Sequence, residues 1–337
     1  MSARALIVGC AGPKLSAAEK EFLAREKPWG LILFKRNIES PAQVSALTQE
    51  FRGVVGYHEA PVLIDQEGGR VQRLGPPLWP NFPPAARLGE TYGRAPARGL
   101  EAAKLGARLM AAEISALGIT IDCMPVADLR LPEGHGVIGD RAYGTEIETV
   151  ARLARSAAEG LIAGGVLPVV KHIPGHGRAR ADSHEALPVV ETSRAELERT
   201  DFEPFRRLRD LPIAMTAHVV YAAIDPVHPA TVSRTVVQEI IRDNIGFDGL
   251  LMTDDLSMKA LSGGFRARAE SSLAAGCDIV LHCNGRLEEM TEIVAACPAL
   301  SGESARRAKA ALNLLNLPVE SVDVAEARAR FSAMVAA

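Results

Sequence analysis

The feature that most constrains this chain is the alternation of short aliphatic runs with longer amphipathic stretches. Eight runs of strand length are mostly aliphatic or β-branched, which is typical of parallel strands buried on both faces. Because strand alternates with helix, the strands are expected to run parallel with right-handed crossovers. Eight such units in 337 residues predict an α/β protein built as a closed (β/α)8 barrel of the TIM type. The predicted strands are Ala5–Val8, Gly30–Phe34, Pro61–Asp65, Ile119–Met124, Leu167–His172, Ile213–His218, Gly249–Thr253 and Asp278–His282.

Helical periodicity is clear in several of the intervening stretches and in two more after the last predicted strand. Ser233 is predicted to cap one helix, since a serine oxygen accepts from a backbone N–H of the first turn. The two C-terminal helices are expected to pack on the barrel, so that residues 1–337 form one domain. An open doubly wound sheet is the alternative, but no G-x-G-x-x-G motif follows the first strand. The predicted helices are Leu100–Leu117, Thr149–Ile162, Arg194–Leu208, Ser233–Asn244, Lys259–Ala275, Glu303–Leu315 and Ala325–Val335.

Charge and composition exclude several classes of partner. The 38 basic and 41 acidic residues give a net charge of −3, whereas proteins of nucleic acids and anionic membranes usually carry a basic excess. Aromatic residues make up only 4% of the chain, too few for platforms that stack single strands. No apolar run reaches the roughly 18 residues of a membrane span. We therefore expect no nucleic-acid partner and no membrane association, and we expect a monomer.

The five cysteines are widely spaced and form no C-x-x-C motif. This pattern predicts reduced thiols in the cytoplasm rather than a disulfide framework or a zinc ribbon. The segment that ends at Cys10 resembles a lipoprotein cleavage site, but its apolar part is shorter than the roughly 7–15 residues of the hydrophobic region of a signal peptide. We interpret this segment as the first core strand.

Polar side chains stand at or after the ends of six of the eight predicted strands. A single ionisable group at a strand end is usually a core residue whose hydrogen bonds are satisfied by its neighbours. Burying six or more such groups is costly unless they lie together in one site and pair with one another. In a barrel, the carboxyl ends of the strands meet at one face, where active sites form. The residues are Asp65, Arg141, Lys171, His172, His218, Asp254, Asp255 and His282.

The densest polar segment is Val170–His184, with the sequence VKHIPGHGRARADSH. Its three histidines and one aspartate permit either a metal site, since imidazole and carboxylate ligate zinc, or acid/base chemistry. The metal interpretation is the weaker one, because no H-x-H ligand pair ends the first strand. In the acid/base interpretation, Asp182 accepts from the Nδ1–H of His184 and thereby fixes the tautomer and raises the basicity of the ring.

The segment LLMTDDLSM places a carboxylate at the end of an apolar strand. Asp254 is therefore a candidate nucleophile at an acetal or carbonyl-like carbon. The adjacent Asp255 is expected to act as the N-cap of the helix that follows.

The segment LIDQEGGRVQR supplies a third group of polar residues. Asp65 can accept hydrogen bonds from two vicinal hydroxyls of a sugar, and the Gly68-Gly69 pair permits a tight turn that returns Arg73 to the site. A phosphate nest is the alternative for the two glycines. Together, many hydrogen-bonding groups without a cofactor motif favour a carbohydrate hydrolase that needs no cofactor.

These segments, in their order along the chain, resemble the bacterial β-N-acetylglucosaminidases of glycoside hydrolase family 3. The resemblance runs from about Ala5 to Gly285 and rests on LIDQEGGRVQRL, VIGDRAYG, KHIPGHGRARADSH and LLMTDDLSMKA. It implies a retaining exo-hydrolase of terminal β-linked N-acetylglucosamine, in bacteria typically on anhydro-muropeptides recycled from the cell wall in the cytoplasm. By motif, Asp254 corresponds to the nucleophile, His184 to the general acid/base and Asp182 to its partner. The sugar-binding positions correspond to Asp65, Arg73, Arg141, Lys171 and His172.

Two positions depart from the family pattern, because Ile173 and Tyr143 stand where phenylalanine is usual, and neither change removes a catalytic group. Other mechanisms stay open: substrate assistance by the acetamido group, phosphorolysis, or a barrel that binds sugar without catalysis. The Val170–His184 loop is expected to move, because its glycines permit hinge motion. A metal-dependent amidohydrolase is a further alternative, with His172, His176 and His184 as its ligands.

Overall fold

The computed structural model describes residues 3–132 and 134–336. Eight parallel strands close into a barrel, in which each strand pairs with its neighbours along the chain and the last strand pairs with the first. The predicted fold class is confirmed. The barrel strands are β1 (Arg4–Val8), β2 (Pro28–Leu33), β3 (Val62–Ile64), β4 (Ile121–Asp122), β5 (Leu167–Ile173), β6 (Ile213–Thr216), β7 (Leu250–Asp255) and β8 (Ile279–His282).

The strands are rich in aliphatic residues because both of their faces are buried. In β1, Ile7 belongs to the hydrophobic cluster inside the barrel, whereas Leu6 and Val8 belong to the cluster between strands and helices. All three side chains are fully buried. Successive side chains of a strand point to opposite faces, so one aliphatic run fills both layers of the core.

Helices surround the barrel, and one of them is a π-helix over Val236–Asn244. Ser233 caps it as predicted, because its Oγ accepts from the N–H of Val236 at 3.1 Å. The α-helices are α1 (Ala17–Glu26), α2 (Pro41–Val55), α3 (Ala85–Arg94), α4 (Pro96–Ser115), α5 (Ile147–Ala163), α6 (Arg194–Arg199), α7 (Glu203–Arg207), α8 (Phe265–Ala275), α9 (Leu287–Val294), α10 (Gly302–Asn313) and α11 (Val324–Ala336).

Two predicted helices are longer than the helices in the structure, and in each case a particular residue explains the difference. The stretch predicted as one helix from Arg194 is two helices, because Pro204 has no N–H for a continuous helix and instead lies in the first turn of α7. Helix α8 begins at Phe265 rather than at Lys259, because the chain turns at Gly263, whose φ of 81° is left-handed.

The two C-terminal helices contact different parts of the barrel. Helix α10 covers its amino end, where Ala308 and Ala311 join the cluster inside the barrel. Helix α11 lies on the outside, where the Phe331 ring packs against Gly106 of α4 and lies 6.0 Å from the Phe82 ring. Within residues 3–132 and 134–336, no helix is long and apolar enough to cross a membrane.

Candidate active site

The first part of the site is a short hairpin that directly follows β3. Its strands, Gln66–Gly68 and Val71–Gln72, are joined by a turn in which Gly68 and Gly69 have φ values of 91° and 57°. Side chains other than glycine rarely adopt such values. The turn returns the chain to the end of β3, where an Arg73 Nη lies 2.9 Å from an Asp65 carboxylate oxygen.

A buried charge cluster joins this hairpin to the end of β5. Lys171 Nζ lies 3.0 Å from Asp65 Oδ1 and 2.7 Å from Glu67 Oε1, and its side chain is only 2% exposed. Arg141 binds Glu67 with two parallel hydrogen bonds of 2.9 and 2.8 Å. Two carboxylates thus meet three cations when Arg73 is included, so each buried charge has a partner of opposite sign.

The pKa values of the cluster follow from this pairing. Burial raises the pKa of Asp65, but the charges of Lys171 and Arg73 lower it by more, so it lies well below its usual range. Burial likewise raises the pKa of Glu67, but Arg141 and Lys171 bring it down to about 2. Both carboxylates therefore stay ionised at neutral pH and can accept hydrogen bonds from sugar hydroxyls.

Asp128 holds the next segment of the site and is a residue that the sequence did not single out. It is fully buried, and its Oδ2 lies 2.6 Å from Nδ1 of His172. Its Oδ1 also accepts from the backbone N–H of His176 at 2.7 Å. The His172 ring is thereby committed at Nδ1, which leaves Nε2 as the nitrogen available to a ligand.

The loop after β5 carries the predicted acid/base pair. Asp182 Oδ1 lies 2.7 Å from Nδ1 of His184 and also accepts from the His184 N–H at 2.9 Å. Burial raises the pKa of Asp182, but these contacts with His184 lower it by more, so the carboxylate is ionised. The His184 side chain is 65% exposed. The predicted i, i+2 hydrogen bond is therefore present, on an open loop.

Two contacts fix the position of this loop. The carbonyl of Ser183 accepts from the N–H of Ala260, in the segment that follows β7. The Ser183 hydroxyl lies 3.4 Å from Nε2 of His176, whose side chain is buried. Burial and the neighbouring His172 lower the pKa of His176 to about 4, so this ring is neutral at neutral pH.

Asp254 lies at the end of β7, close enough to His218, His172 and His184 for their charges to affect its pKa. Its Oδ1 accepts from the N–H of Asp255 at 2.8 Å. Burial raises the pKa of Asp254, but His218, His172, that N–H and His184 lower it by more, so it lies below its usual range. Asp254 is therefore an ionised carboxylate, the form that a nucleophile requires.

The predicted helix cap at Asp255 is wrong. Helix α8 begins ten residues further on, at Phe265. The Asp255 carboxylate instead accepts from the N–H of Ser257 at 3.0 Å and from the N–H of Cys283 at 3.1 Å. It holds the turn after β7 against the end of β8, because those two amide groups lack partners in regular structure.

The polar residues at the strand ends fall into three groups. Asp65, Arg73, Arg141 and Lys171 form the charge cluster, to which Glu67 must be added. His172 and His184 lie close enough to Asp254 for their charges to lower its pKa. The remaining strand-end histidines, His218 and His282, are fully buried. In the sequence, the signal for Glu67 was its position between Asp65 and the glycine pair, and Asp128 had only its position shortly after a strand.

The three histidines of the metal alternative have separate partners. His172 is bound to Asp128, His184 to Asp182, and His176 lies beside Ser183. In the part of the chain that the structure describes, no three His, Cys, Asp or Glu side chains are grouped so that they could hold a metal ion. The ligand set that the metal-dependent alternative requires is not assembled there.

Known proteins with this fold match the chain over most of its length. Residues 4–317 match the N-terminal domain of glycosyl hydrolase family 3. The beta-hexosaminidase of Bordetella avium (strain 197N) is 40% identical over 285 residues, which are 83% of this chain and 80% of that protein. Native NagZ from Neisseria gonorrhoeae superposes with a TM-score of 0.88 at 33% identity, over 99% of this chain and 98% of that one. Its complex with N-trifluoroacetyl-D-glucosamine gives the same TM-score at 32% identity, over 99% of both chains.

Charged residues at the carboxyl ends of the strands are the usual arrangement of the active site in a barrel enzyme. The chain belongs to glycoside hydrolase family 3. It shares the enzyme class of its relatives, which is β-N-acetylhexosaminidase, and the likeness supports β-N-acetylglucosaminidase activity.

Proposed function

We propose that this enzyme is a retaining exo-glycosidase that removes terminal non-reducing β-linked N-acetylglucosamine by double displacement. Asp254 is the nucleophile, His184 the general acid/base, and Asp182 orients His184. The observation that carries the proposal is the placement of the Asp182–His184 pair, at 2.7 Å, on a loop bonded through Ser183 to the segment that follows Asp254.

In the first step, an Asp254 oxygen attacks the anomeric carbon while the bond to the leaving oxygen breaks. His184 donates its Nε2 proton to that oxygen, and its Nδ1–H continues to donate a hydrogen bond to ionised Asp182. In the second step, His184 takes a proton from water, the water oxygen bonds to the anomeric carbon, and the Asp254 carboxylate leaves. An imidazole, whose ordinary pKa is about 6.5, suits both proton transfers near neutrality.

We assign sugar binding to Asp65, which lies across the barrel opening from Asp254, and to the residues around Asp65 and at the end of β5. Strands β3 and β7 are four places apart in an eight-stranded barrel, so Asp65 and Asp254 face each other across it. A pyranose with its anomeric carbon at Asp254 would direct its far hydroxyls toward Asp65, Arg73 and Lys171. His172 Nε2 and Arg141 complete the binding group in this proposal.

The natural substrate that we propose is N-acetylglucosaminyl anhydro-muropeptide, released in peptidoglycan recycling. The NagZ relative was solved with an N-acylated glucosamine derivative, which supports the sugar but not the aglycone. We place the reaction in the cytoplasm and expect a monomer. The five cysteines are all free thiols, which is typical of a reducing compartment.

Covalent labelling tests the mechanism. Incubation with a slow fluorinated N-acetylglucosaminide, followed by peptide mass mapping, should place one sugar on Asp254. A label on another residue would remove the assigned nucleophile. Strong inhibition by a thiazoline analogue without any covalent adduct would instead favour substrate assistance, and faster turnover in phosphate would favour phosphorolysis.

A further inference from the structure

The backbone around Asp254 departs from regular strand pairing. The register between β7 and β8 shifts between Met252 and Asp255. At this shift the Thr253 hydroxyl, rather than a carbonyl, accepts from the N–H of Leu281 at 2.9 Å. Irregularities of this kind change the direction of nearby side chains and are common next to active sites. The direction of the Asp254 side chain is therefore set by local contacts and not by regular hydrogen bonding between the strands.

Those local contacts meet at Asp255. Its N–H holds Asp254 Oδ1, and its carboxylate is anchored by the backbone N–H groups of Ser257 and Cys283. Its carbonyl oxygen lies 3.0 Å from Nε2 of His218. The side chain and the carbonyl of Asp255 are thus both held by neighbouring groups, while its N–H binds the Asp254 carboxylate.

The neutral His218 ring has one tautomer that suits the partners of both its nitrogens. In that tautomer the Thr231 hydroxyl gives its proton to the ring and not to the Ala217 carbonyl, which lies 3.1 Å from the same oxygen. A carbonyl can only accept, so Nε2 must carry the proton. Nδ1 then accepts from the Thr231 hydroxyl, at 2.7 Å, and Thr231 accepts from the Thr216 hydroxyl, also at 2.7 Å. Burial lowers the pKa of His218, which favours this neutral form. His218, Thr216 and Thr231 are completely buried, so water does not compete.

We propose that His218 is a positioning residue for the nucleophile: through the Asp255 carbonyl it fixes the backbone that aims Asp254. This inference rests on the proposed role of Asp254. His218 acts from outside the sugar site, so its loss should slow attack on the anomeric carbon without weakening sugar binding. A misplacement of about 1 Å in a reacting group can cost roughly 100-fold in rate.

The test compares two substitutions of the same residue. His218→Asn keeps a polar group near Thr231 but has no atom where Nε2 donates. His218→Gln can place its amide nitrogen there. We expect the rate constant for labelling by the fluorinated sugar to fall about 10- to 100-fold in His218→Asn. The Kd for N-acetylglucosamine should stay within about twofold, and His218→Gln should recover most of the labelling rate.

Thr48→Val is the matched control for stability. Thr48 is also completely buried, and its hydroxyl donates to the Leu117 carbonyl at 2.8 Å, at the opposite end of the barrel. This variant should lower Tm and leave the labelling rate unchanged. If His218→Asn does not fold, Thr231→Val replaces it, because that change removes the hydroxyl that orients the His218 ring and should slow labelling with the same selectivity.

Three outcomes would overturn the inference. The first is a wild-type labelling rate in His218→Asn or, where it is the replacement, in Thr231→Val. The second is an equal loss of labelling rate in His218→Asn and His218→Gln. The third is a loss of sugar affinity large enough to account for the slower reaction. The proposed function fails in a different way, since wild-type enzyme would then carry no label on Asp254.

Discussion

The two halves of the catalytic face are built in opposite ways. In the charge cluster that joins the hairpin after β3 to the end of β5, charges are buried and paired, and the Lys171 side chain is only 2% exposed. On the β5 loop, the Asp182–His184 pair stands on the surface, and the His184 side chain is 65% exposed. The first half consists of ion pairs between separate elements, whereas the second is a hydrogen bond between residues two apart on one loop.

This difference fits the two tasks of a glycosidase. Hydroxyl recognition benefits from groups that are locked before the sugar arrives, because ordering them later would cost binding free energy. An acid/base group must protonate the leaving oxygen and then admit water, so an open loop can serve it. The contrast predicts that substitutions on the loop change chemistry and leave stability alone, while those in the charge cluster change both.

The largest effect is expected from His184→Ala. Turnover of a substrate with a poor leaving group should fall about 10²- to 10⁴-fold, because general acid catalysis is lost. Activated aryl glycosides should lose much less, since their leaving group needs little protonation. The free energy of unfolding in urea should stay within about 0.5 kcal/mol of wild type. Equal rate losses on both substrates would contradict the acid role.

Lys171→Met should have the next largest effect, on stability. It leaves the Asp65 and Glu67 carboxylates buried without their shared cation, and breaking a buried pair typically costs about 3–5 kcal/mol. Urea unfolding at pH 7 measures this loss. The control is Arg266→Met, which removes the exposed Arg266–Glu270 pair and should change nothing measurable. A change below about 1 kcal/mol in Lys171→Met would show that the cluster is not the rigid half.

The third prediction concerns pH and His176, which lies between the two halves. Its pKa is lowered to about 4 in the folded protein, whereas the pKa of an unfolded histidine is about 6.5. As pH falls from about 6.5 to 4, this histidine becomes protonated in the unfolded chain but stays mostly neutral in the folded protein. The free energy of unfolding therefore falls with pH, by at most about 3 kcal/mol. His176→Gln should remove this part of the pH dependence. The same slope in the variant, or an equal change in the exposed control His228→Gln, would assign the effect elsewhere.

Local sequence pattern predicted the structure best where it agrees with the global fold. Eight aliphatic runs predicted the barrel, the glycine pair predicted the turn that returns Arg73 to Asp65, and the Asp182–His184 spacing predicted their hydrogen bond. It worked least well where a residue's partner is distant along the chain. The Asp128–His172 contact joins residues 44 positions apart, and the Arg141–Glu67 pair joins residues 74 apart.

Asp255 illustrates the same limit within a single motif. A carboxylate before an apparent helix is typical of an N-cap, and local pattern predicted that role. The structure instead uses Asp255 to join the end of β7 to β8 and, through its carbonyl, to the buried His218. Neither partner is detectable from spacing, because barrel closure alone brings these strand ends together.

The sequence by itself determined the strand order, the strand ends where polar residues gather, and the contacts between residues a few positions apart, since periodicity and turn chemistry are local. Tertiary structure decided which of those residues pair, which are buried and which stay ionised. The physical reason is that charge pairing and desolvation depend on distance in space, which a barrel fixes only when its eight strands have closed.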